Sequence, residues 1–189
     1  MIFSTVNAAR RKAVRALVYG TGLPRRYYVN RFSGSPDVCF IWIPKSAGTS
    51  VYKWLESQLG MLKLKERISV KGGYSQCGPV TFGHMHYEAL LDQKLVSMEF
   101  HKRAYRFCFV RNPYDRAASL YYYLSKNKRY KGSFSDFLRR VESGVEPLGL
   151  YNSVGLSQAN PQSSWIISSN GQVLVEHIFK VEDFQSAQA

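Results

Sequence analysis

Residues 40–55, FIWIPKSAGTSVYKWL, place a lysine and several small polar residues between an apolar run and a helix-like pattern. Lys45 brings a positive charge directly after Pro44, and Gly48 lets a ligand approach the backbone closely. The amides of residues 46–50 and the loop hydroxyls could surround an anion at the start of a helix. A simple capping loop is the alternative, but a lysine at the end of an apolar strand favours phosphate binding. The order differs from the nucleoside-triphosphate loop, in which Gly-Lys-Ser/Thr closes the motif.

A second polar cluster follows another apolar run within residues 104–124, AYRFCFVRNPYDRAASLYYYL. Arg111 ends this run, and its guanidinium could bind a phosphate through two parallel hydrogen bonds. Ser119 lies two helical turns beyond Pro113, roughly 9 Å along a helix axis, so both side chains could reach one group. Together with the loop around Lys45, this cluster predicts a ligand that carries two separated phosphates.

Three side chains in TFGHMHYEAL could act as a general base: His84, His86 and Glu88. Imidazole has an intrinsic pKa suited to accepting a hydroxyl proton near neutral pH. His86, two residues after His84, is the reserve candidate. Glu88 is equally well explained as a carboxylate on a helix surface.

The elements that must position these residues alternate between strand and helix patterns. Residues 37–43 and 104–110 are continuous apolar runs, which are typical of buried parallel strands. A short strand should end near Gly83, residues 61–78 are predicted to be a loop, and VLVEHIFKV predicts one or two strands. We therefore predict an α/β fold of three layers, P-loop-like, in which helices flank a central, mainly parallel sheet. Ligands bind beyond the carboxyl ends of such strands, where all three polar clusters lie.

Helices are predicted between these strands. The first should begin near residue 49 with Trp54 on its inward face, and the second should begin at Pro113, where proline is favoured. A third should cover residues 133–141, and PQSSWIISS predicts a short one. The candidate N-caps of the first and third helices are Thr49, Ser50, Ser133 and Ser135.

Both anion-binding motifs, in this order and at this separation, resemble those of the sulfotransferase superfamily, which uses 3'-phosphoadenosine 5'-phosphosulfate (PAPS). The likeness is greatest to its carbohydrate-sulfotransferase-like branch (the sulfotransferase family 2 type) and runs from about Val38 to Phe184. IPKSAGTS is similar to that family's 5'-phosphosulfate loop, and FVRNPYDRAASLYYY to its 3'-phosphate motif. The resemblance implies transfer of a sulfuryl group from PAPS to a hydroxyl acceptor, a carbohydrate, with no metal ion.

The resemblance also implies a role for each matched residue. Lys45 would be catalytic and would contact the transferred sulfuryl group, and His84 after Gly83 would be the base, with His86 and Glu88 as the other candidates. Arg111 and Ser119 would bind the 3'-phosphate. The 5'-phosphate would be held by Ser46, Ala47, Gly48, Thr49 and Ser50.

Two further matches to the family pattern are Gln162 and Glu182. We expect a structural hydrogen bond from Glu182 and assign neither residue a catalytic role.

The composition bears on other functions. The 189 residues include 26 Lys or Arg and 13 Asp or Glu, giving a net charge of +13, so an anionic partner is expected. The alternative to the enzyme is a non-catalytic PAPS- or polyanion-binding protein. Nucleic acid is disfavoured because it gives no reason for two anion motifs at strand ends, and a nucleotide kinase is disfavoured by the order of the loop. The scattered Cys39, Cys77 and Cys108 predict free thiols in a reducing compartment.

The chain is expected to divide into a basic leader, 1–36, and a sulfotransferase-like domain, 37–189. The leader contains seven Lys and Arg residues and no Asp or Glu. It could contact a membrane surface or a polyanion, or be a loosely ordered extension. No apolar run approaches the roughly 20 residues of a membrane span and no secretory signal is seen, so a cytoplasmic location is expected. Because the chain stops eight residues after Val181, where related enzymes usually continue, the domain could be C-terminally truncated, a minimal enzyme, or a relative that binds PAPS without turnover.

Overall fold

The computed structural model describes residues 34–64, 74, 76–143 and 158–183. Within these residues, five strands form one sheet: β1 (Val38–Ile41), β2 (Leu62–Lys63), β3 (Pro79–Thr81), β4 (Tyr105–Val110) and β5 (His177–Lys180). Their order is β2-β3-β1-β4-β5, and every pairing is parallel. The predicted α/β fold with a parallel central sheet is confirmed. The basic leader lies almost entirely outside the described residues, so the division into leader and domain stays a prediction.

Helices pack on the sheet and around its ends. In the described part of the chain they are α1 (Gly48–Leu59), α2 (Tyr87–Asp92), α3 (Met98–Arg103), α4 (Pro113–Lys126), α5 (Phe134–Glu142) and a 3₁₀ helix (Gln162–Trp165). None of these helices is both long enough and apolar enough to cross a membrane. The 3₁₀ helix confirms the short helix predicted at PQSSWIISS, whereas α3 was not predicted.

Both faces of β1 are buried because its side chains alternate between two apolar clusters. Cys39 and Ile41 join the cluster that contains Leu90 of α2 and Phe100 of α3. On the other face, Val38 and Phe40 pack in the cluster to which α1 contributes Val51 and Leu55. This two-sided burial explains why β1 is a continuous apolar run rather than an alternating one. A third cluster joins α4 to α5 through Leu120, Leu124 and Phe137.

The start of α1 differs from the prediction. Its N-cap is Ala47, which has left-handed backbone angles (φ 53°, ψ 10°) and no capping side chain. The amides of Ser50 and Val51 instead donate to the Ala47 carbonyl, at 2.9 and 3.2 Å. The predicted caps at Thr49 and Ser50 are therefore wrong, because the backbone itself turns the loop into the helix.

Two other predictions are corrected by packing. Trp54 was expected to face inward but is 45% exposed, because Val51 and Leu55, four residues apart, already fill the stripe against the sheet. Residues 62 and 63 were predicted to belong to a loop but form β2, which pairs with β3. This edge pairing continues as the Leu64 amide donates to the Thr81 carbonyl at 2.8 Å.

Other local predictions are confirmed. α4 begins at Pro113, and α5 is capped by Ser133, whose hydroxyl accepts from the Asp136 amide at 3.1 Å while the Asp136 carboxylate accepts from the Ser133 amide at 3.3 Å. Cys39 and Cys108 are buried free thiols, and Cys77 is a half-buried one.

The capping box predicts a stability effect that separates the two candidate caps of α5. Ser133→Ala removes the side-chain acceptor at the N-cap and should lower the free energy of unfolding by about 1 kcal/mol. Ser135→Ala changes an exposed serine of the same first turn and is the matched control, with an expected change below about 0.5 kcal/mol. Urea unfolding measures both, and equal losses would contradict the assignment of Ser133 as the cap.

Candidate functional site

A cleft of about 320 Å³ opens where β1, β3 and β4 end. Both predicted anion-binding loops and the predicted base line it. The predicted site residues in its wall are Lys45, Ala47, Gly48, Thr49, Ser50, His84, Arg111 and Ser119. The other lining residues, which the sequence motifs do not indicate, are Trp42, Pro44, Tyr123 and Gln158. None of these lining residues carries a carboxylate, so the wall is positively charged.

The loop after β1 has a backbone shape suited to an anion. Lys45 (φ 66°) and Ala47 (φ 53°), on either side of Ser46, are both left-handed. This conformation costs a non-glycine residue about 1–2 kcal/mol and turns successive amides toward one side. The amides of Gly48 and Thr49, at the start of α1, donate to no acceptor within the described residues. The loop therefore offers unpaired N–H groups at a helix N-terminus, as anion sites do.

Gly48 is required by a neighbour as well as by a ligand. A Cβ atom at this position would lie 1.9 Å from Nε1 of Trp42, so the indole occupies the space that a side chain would need. The sequence indicated a glycine for close ligand approach, but it did not indicate this contact. Trp42 therefore packs directly against the backbone of the loop at Gly48.

Positive charges meet in the cleft without an acidic partner. Lys45 is half-buried, and its Nζ lies 4.3 Å from the centre of the Tyr123 ring. Burial lowers the pKa of Lys45, and the charge of Arg111 lowers it further. An anion bound between the two side chains would offset this repulsion and raise the pKa of Lys45 again.

His84 is oriented by the backbone of the neighbouring strand end. Its Nδ1 lies 3.1 Å from the Trp42 carbonyl oxygen, which can only accept, so Nδ1 carries the proton and Nε2 is the basic nitrogen. Burial lowers the pKa of His84 to about 4; the bond to Trp42 opposes this shift, while the charges of Lys63, Lys45 and Arg116 add to it. The ring is therefore neutral near pH 7, as a base must be.

The two other base candidates lie outside the wall of the cleft. His86 is buried against Trp165, with ring centres 4.4 Å apart. Glu88 accepts hydrogen bonds from the amide and hydroxyl of Ser169, at 2.7 and 2.8 Å. Of the three candidates, the structure brings only His84 to the Lys45 loop.

Ser46 is the one predicted loop residue that does not line the cleft. It is 1% exposed, and its hydroxyl donates to Oε1 of Gln162 at 3.1 Å. The same Oε1 accepts from the Arg111 amide at 2.9 Å, and Nε2 of Gln162 donates to the Arg111 carbonyl at 2.7 Å. The sequence pattern indicated Gln162 without its function, because its partners lie far away along the chain.

Arg116 has a structural role that the sequence did not reveal. It is 7% exposed and donates to the carbonyls of Pro44, Asn160 and Gln158, at 3.0, 3.0 and 2.6 Å. Burial lowers its pKa to about 10, so it stays charged near neutral pH. Because Pro44 precedes Lys45, this side chain ties the loop to residues 158–160.

The structural hydrogen bond expected of Glu182 is confirmed, since its Oε1 accepts from the Asn112 amide at 2.8 Å. This bond fixes the start of α4, the helix that carries Ser119.

The pKa of His84 predicts how stability depends on pH. The folded protein protonates His84 only near pH 4, whereas the unfolded chain does so near pH 6.5. Between these values the unfolded state takes up a proton that the folded state excludes. The neutral His84 therefore contributes up to about 3 kcal/mol to the free energy of unfolding. This contribution is fully present above pH 6.5 and is lost as pH falls toward 4.

Urea unfolding of the wild type and His84→Gln between pH 7.5 and 4 measures this contribution. The difference in unfolding free energy between the two should change across that window, in favour of the variant at low pH. The exposed His177 supplies the control, His177→Gln. A difference that is constant with pH would show that His84 is not held neutral by the fold.

Comparison with known proteins supports the fold. No protein-family model matches the chain, and no curated protein sequence matches it. The structure is similar to the crystal structure of a sulfotransferase from Alicyclobacillus acidocaldarius, with a TM-score of 0.51 and 18% sequence identity over 81% of this chain and 76% of that chain. At this identity the similarity establishes the α/β fold.

Proposed function

We propose that this protein is a PAPS-dependent sulfotransferase of the carbohydrate-sulfotransferase-like branch, which transfers a sulfuryl group to a carbohydrate hydroxyl. The observation that carries this proposal is the meeting of both anion-binding loops and His84 in one cleft. The similar fold of the sulfotransferase from Alicyclobacillus acidocaldarius supports the reaction class.

The register of the sheet supports a donor with two anionic groups. Ile41 pairs with Cys108, so the loop of Lys45 and the end of β4 at Arg111 leave the sheet side by side. The free amides of Gly48 and Thr49 suit a 5'-phosphosulfate, and Arg111 with Ser119 suits a 3'-phosphate. A wall without carboxylates accepts both groups without repulsion.

PAPS supplies the activated sulfuryl group, which moves as the acceptor oxygen bonds to sulfur and the bond from sulfur to the bridging phosphate oxygen breaks. The loop at the start of α1 orients the phosphosulfate for in-line attack. Lys45 stabilises the negative charge that develops on the departing phosphate oxygen. His84 accepts the acceptor's hydroxyl proton at Nε2.

Donor binding should strengthen His84 as a base. In the ligand-free protein its pKa is about 4, and three of the causes are the cations Lys63, Lys45 and Arg116. Negative charge placed beside Lys45 opposes these cations, so the pKa of His84 rises toward neutrality when the donor is bound. The base is thereby strongest when there is a group to transfer.

The carbohydrate acceptor rests on the resemblance of the two motifs to that branch. The cleft offers matching chemistry, because the half-buried Tyr123 lines it with an aromatic ring. A sugar has apolar C–H faces and ring hydroxyls that such a wall can contact.

Binding of the stable product, adenosine 3',5'-bisphosphate, tests the donor site. Calorimetric titration should show saturable binding that exceeds ATP binding. Arg111→Ala should weaken it by roughly 10- to 100-fold, the size of a lost charge-assisted contact. Arg140→Ala removes an equal charge from the exposed face of α5 and should leave binding unchanged. Equal weakening by both variants, or no preference over ATP, would favour the polyanion-binding alternative.

Catalysis is tested by sulfate transfer from radiolabelled PAPS to a panel of neutral and acidic oligosaccharides. Lys45→Ala and His84→Ala should each lower the transfer rate by about 100-fold or more, because one removes charge stabilisation and the other the base. His84→Ala should still bind adenosine 3',5'-bisphosphate. The exposed lysine of α1 gives the control Lys53→Ala, which should keep full activity. Full transfer by Lys45→Ala would refute the mechanism.

A further inference from the structure

One side chain joins the two anion-binding loops. Gln162 accepts at Oε1 from the Ser46 hydroxyl, 3.1 Å away in the loop after β1. It also makes two bonds to the backbone of Arg111, after β4: Oε1 accepts from the amide at 2.9 Å and Nε2 donates to the carbonyl at 2.7 Å. All three contacts come from the one amide group of Gln162, so the loops cannot shift apart without breaking at least one of them.

The segment that carries Gln162 is itself fixed. Trp165, three residues later, is 1% exposed, and its indole Nε1 donates to the His84 carbonyl at 3.1 Å. On the other side, Arg116 bonds to the carbonyls of Asn160 and Gln158. Gln162 therefore stands on a backbone that is held at both ends, as a positioning residue must be.

The surroundings of Ser46 separate its hydroxyl from the ligand space. Ser46 is 1% exposed and is absent from the wall of the cleft, which its neighbours Lys45 and Ala47 line. Its hydroxyl proton is donated to Gln162. The side chain thus reaches the second loop rather than the cleft.

We propose that Gln162 is a positioning residue that holds the two loops at the spacing required by a nucleotide with phosphates at both its 3' and 5' positions. In this arrangement the Ser46 hydroxyl acts through Gln162 and does not bind the 5'-phosphate. The inference rests on the proposed function and adds to it. A ligand that occupies one loop does not depend on the spacing, whereas a ligand that spans both loops does.

Three nucleotides distinguish spacing from direct contact. Adenosine 3',5'-bisphosphate needs both loops, while adenosine 5'-monophosphate and adenosine 3'-monophosphate each need one. Gln162→Met keeps the side-chain length and removes all three bonds. It should weaken bisphosphate binding by about 10- to 30-fold and each monophosphate by less than about threefold. Gln58→Met, at an exposed glutamine of α1, should change none of the three affinities.

Ser46→Ala tests the same connection from the other loop. This variant should weaken bisphosphate binding by about threefold and leave 5'-monophosphate binding unchanged. Combined with Gln162→Met, it should weaken bisphosphate binding no further than Gln162→Met alone. Weaker 5'-monophosphate binding would show that Ser46 contacts the phosphate and would overturn the inference. Unchanged bisphosphate binding in Gln162→Met would also overturn it, and if that variant does not fold, Ser46→Ala decides alone.

A separate readout keeps this inference distinct from the proposed function. If the wild type binds no bisphosphate, the proposed donor is wrong, and the connection between the loops is judged in the ligand-free protein. Hydrogen exchange of the Arg111 amide should then be at least about tenfold faster in Gln162→Met, because its acceptor is lost, while the Cys108 amide within β4 is unchanged. Equal exchange at Arg111 in the two proteins would mean that Gln162 does not hold this loop.

Discussion

The parallel pairing of β1 with its two neighbours is the constraint on which the cleft depends. Ile41 pairs with Cys108 of β4, and Phe40 pairs with Thr81 of β3, so all three strands end at one edge of the sheet. A shift of one residue would exchange the two faces of β1 and place each of its side chains among the partners that pack around the other face. The burial of Cys39 and Phe40 therefore selects the register that also aligns Lys45, His84 and Arg111.

The positive charges of Lys45 and Arg111 repel each other in the cleft, and a bound anion would offset this repulsion. The pKa of Lys45 is lowered by burial and by Arg111, and that of His84 by burial and three cations. The left-handed backbone of Lys45 and Ala47 adds conformational strain beside these charges. Such a site is held ready by the rest of the fold, because its wall contains no carboxylate that would draw these cations together. The apolar clusters on both faces of the sheet supply that stabilisation.

Local signals explain why part of this arrangement was predictable. Pro113 and Ser133 are residue types that favour the start of a helix. Lys45 and Arg111 each follow an apolar run that forms a strand. The start of α1 was not predictable, because a left-handed alanine has no sequence signature. Nor was β2, whose two residues become a strand only through pairing with β3.

Other features of the site were not predictable because they depend on contacts between residues far apart in the sequence. Gln162 bonds to Ser46 and Arg111, which precede it in the sequence by 116 and 51 positions. No local sequence pattern indicates contacts over such separations. The same holds for Arg116, whose acceptor Pro44 is 72 positions away. Ser46 is buried and donates to Gln162, whereas its residue type alone suggested a contact with a ligand. Residue types located the site, and tertiary contacts determine which of them face it.

A neutral amide is the side chain best suited to join two positively charged loops. A carboxylate at position 162 could accept from Ser46 and Arg111 but would face the Arg111 carbonyl and cancel nearby positive charge. A lysine or arginine could only donate, and would add a further cation. Glutamine supplies both functions at no net charge. Arg116 follows the same logic, since carbonyls satisfy it without neutralising it. The carboxylates of Glu88 and Glu182 bind Ser169 and the Asn112 amide instead, so the positive potential of the cleft remains available to a ligand.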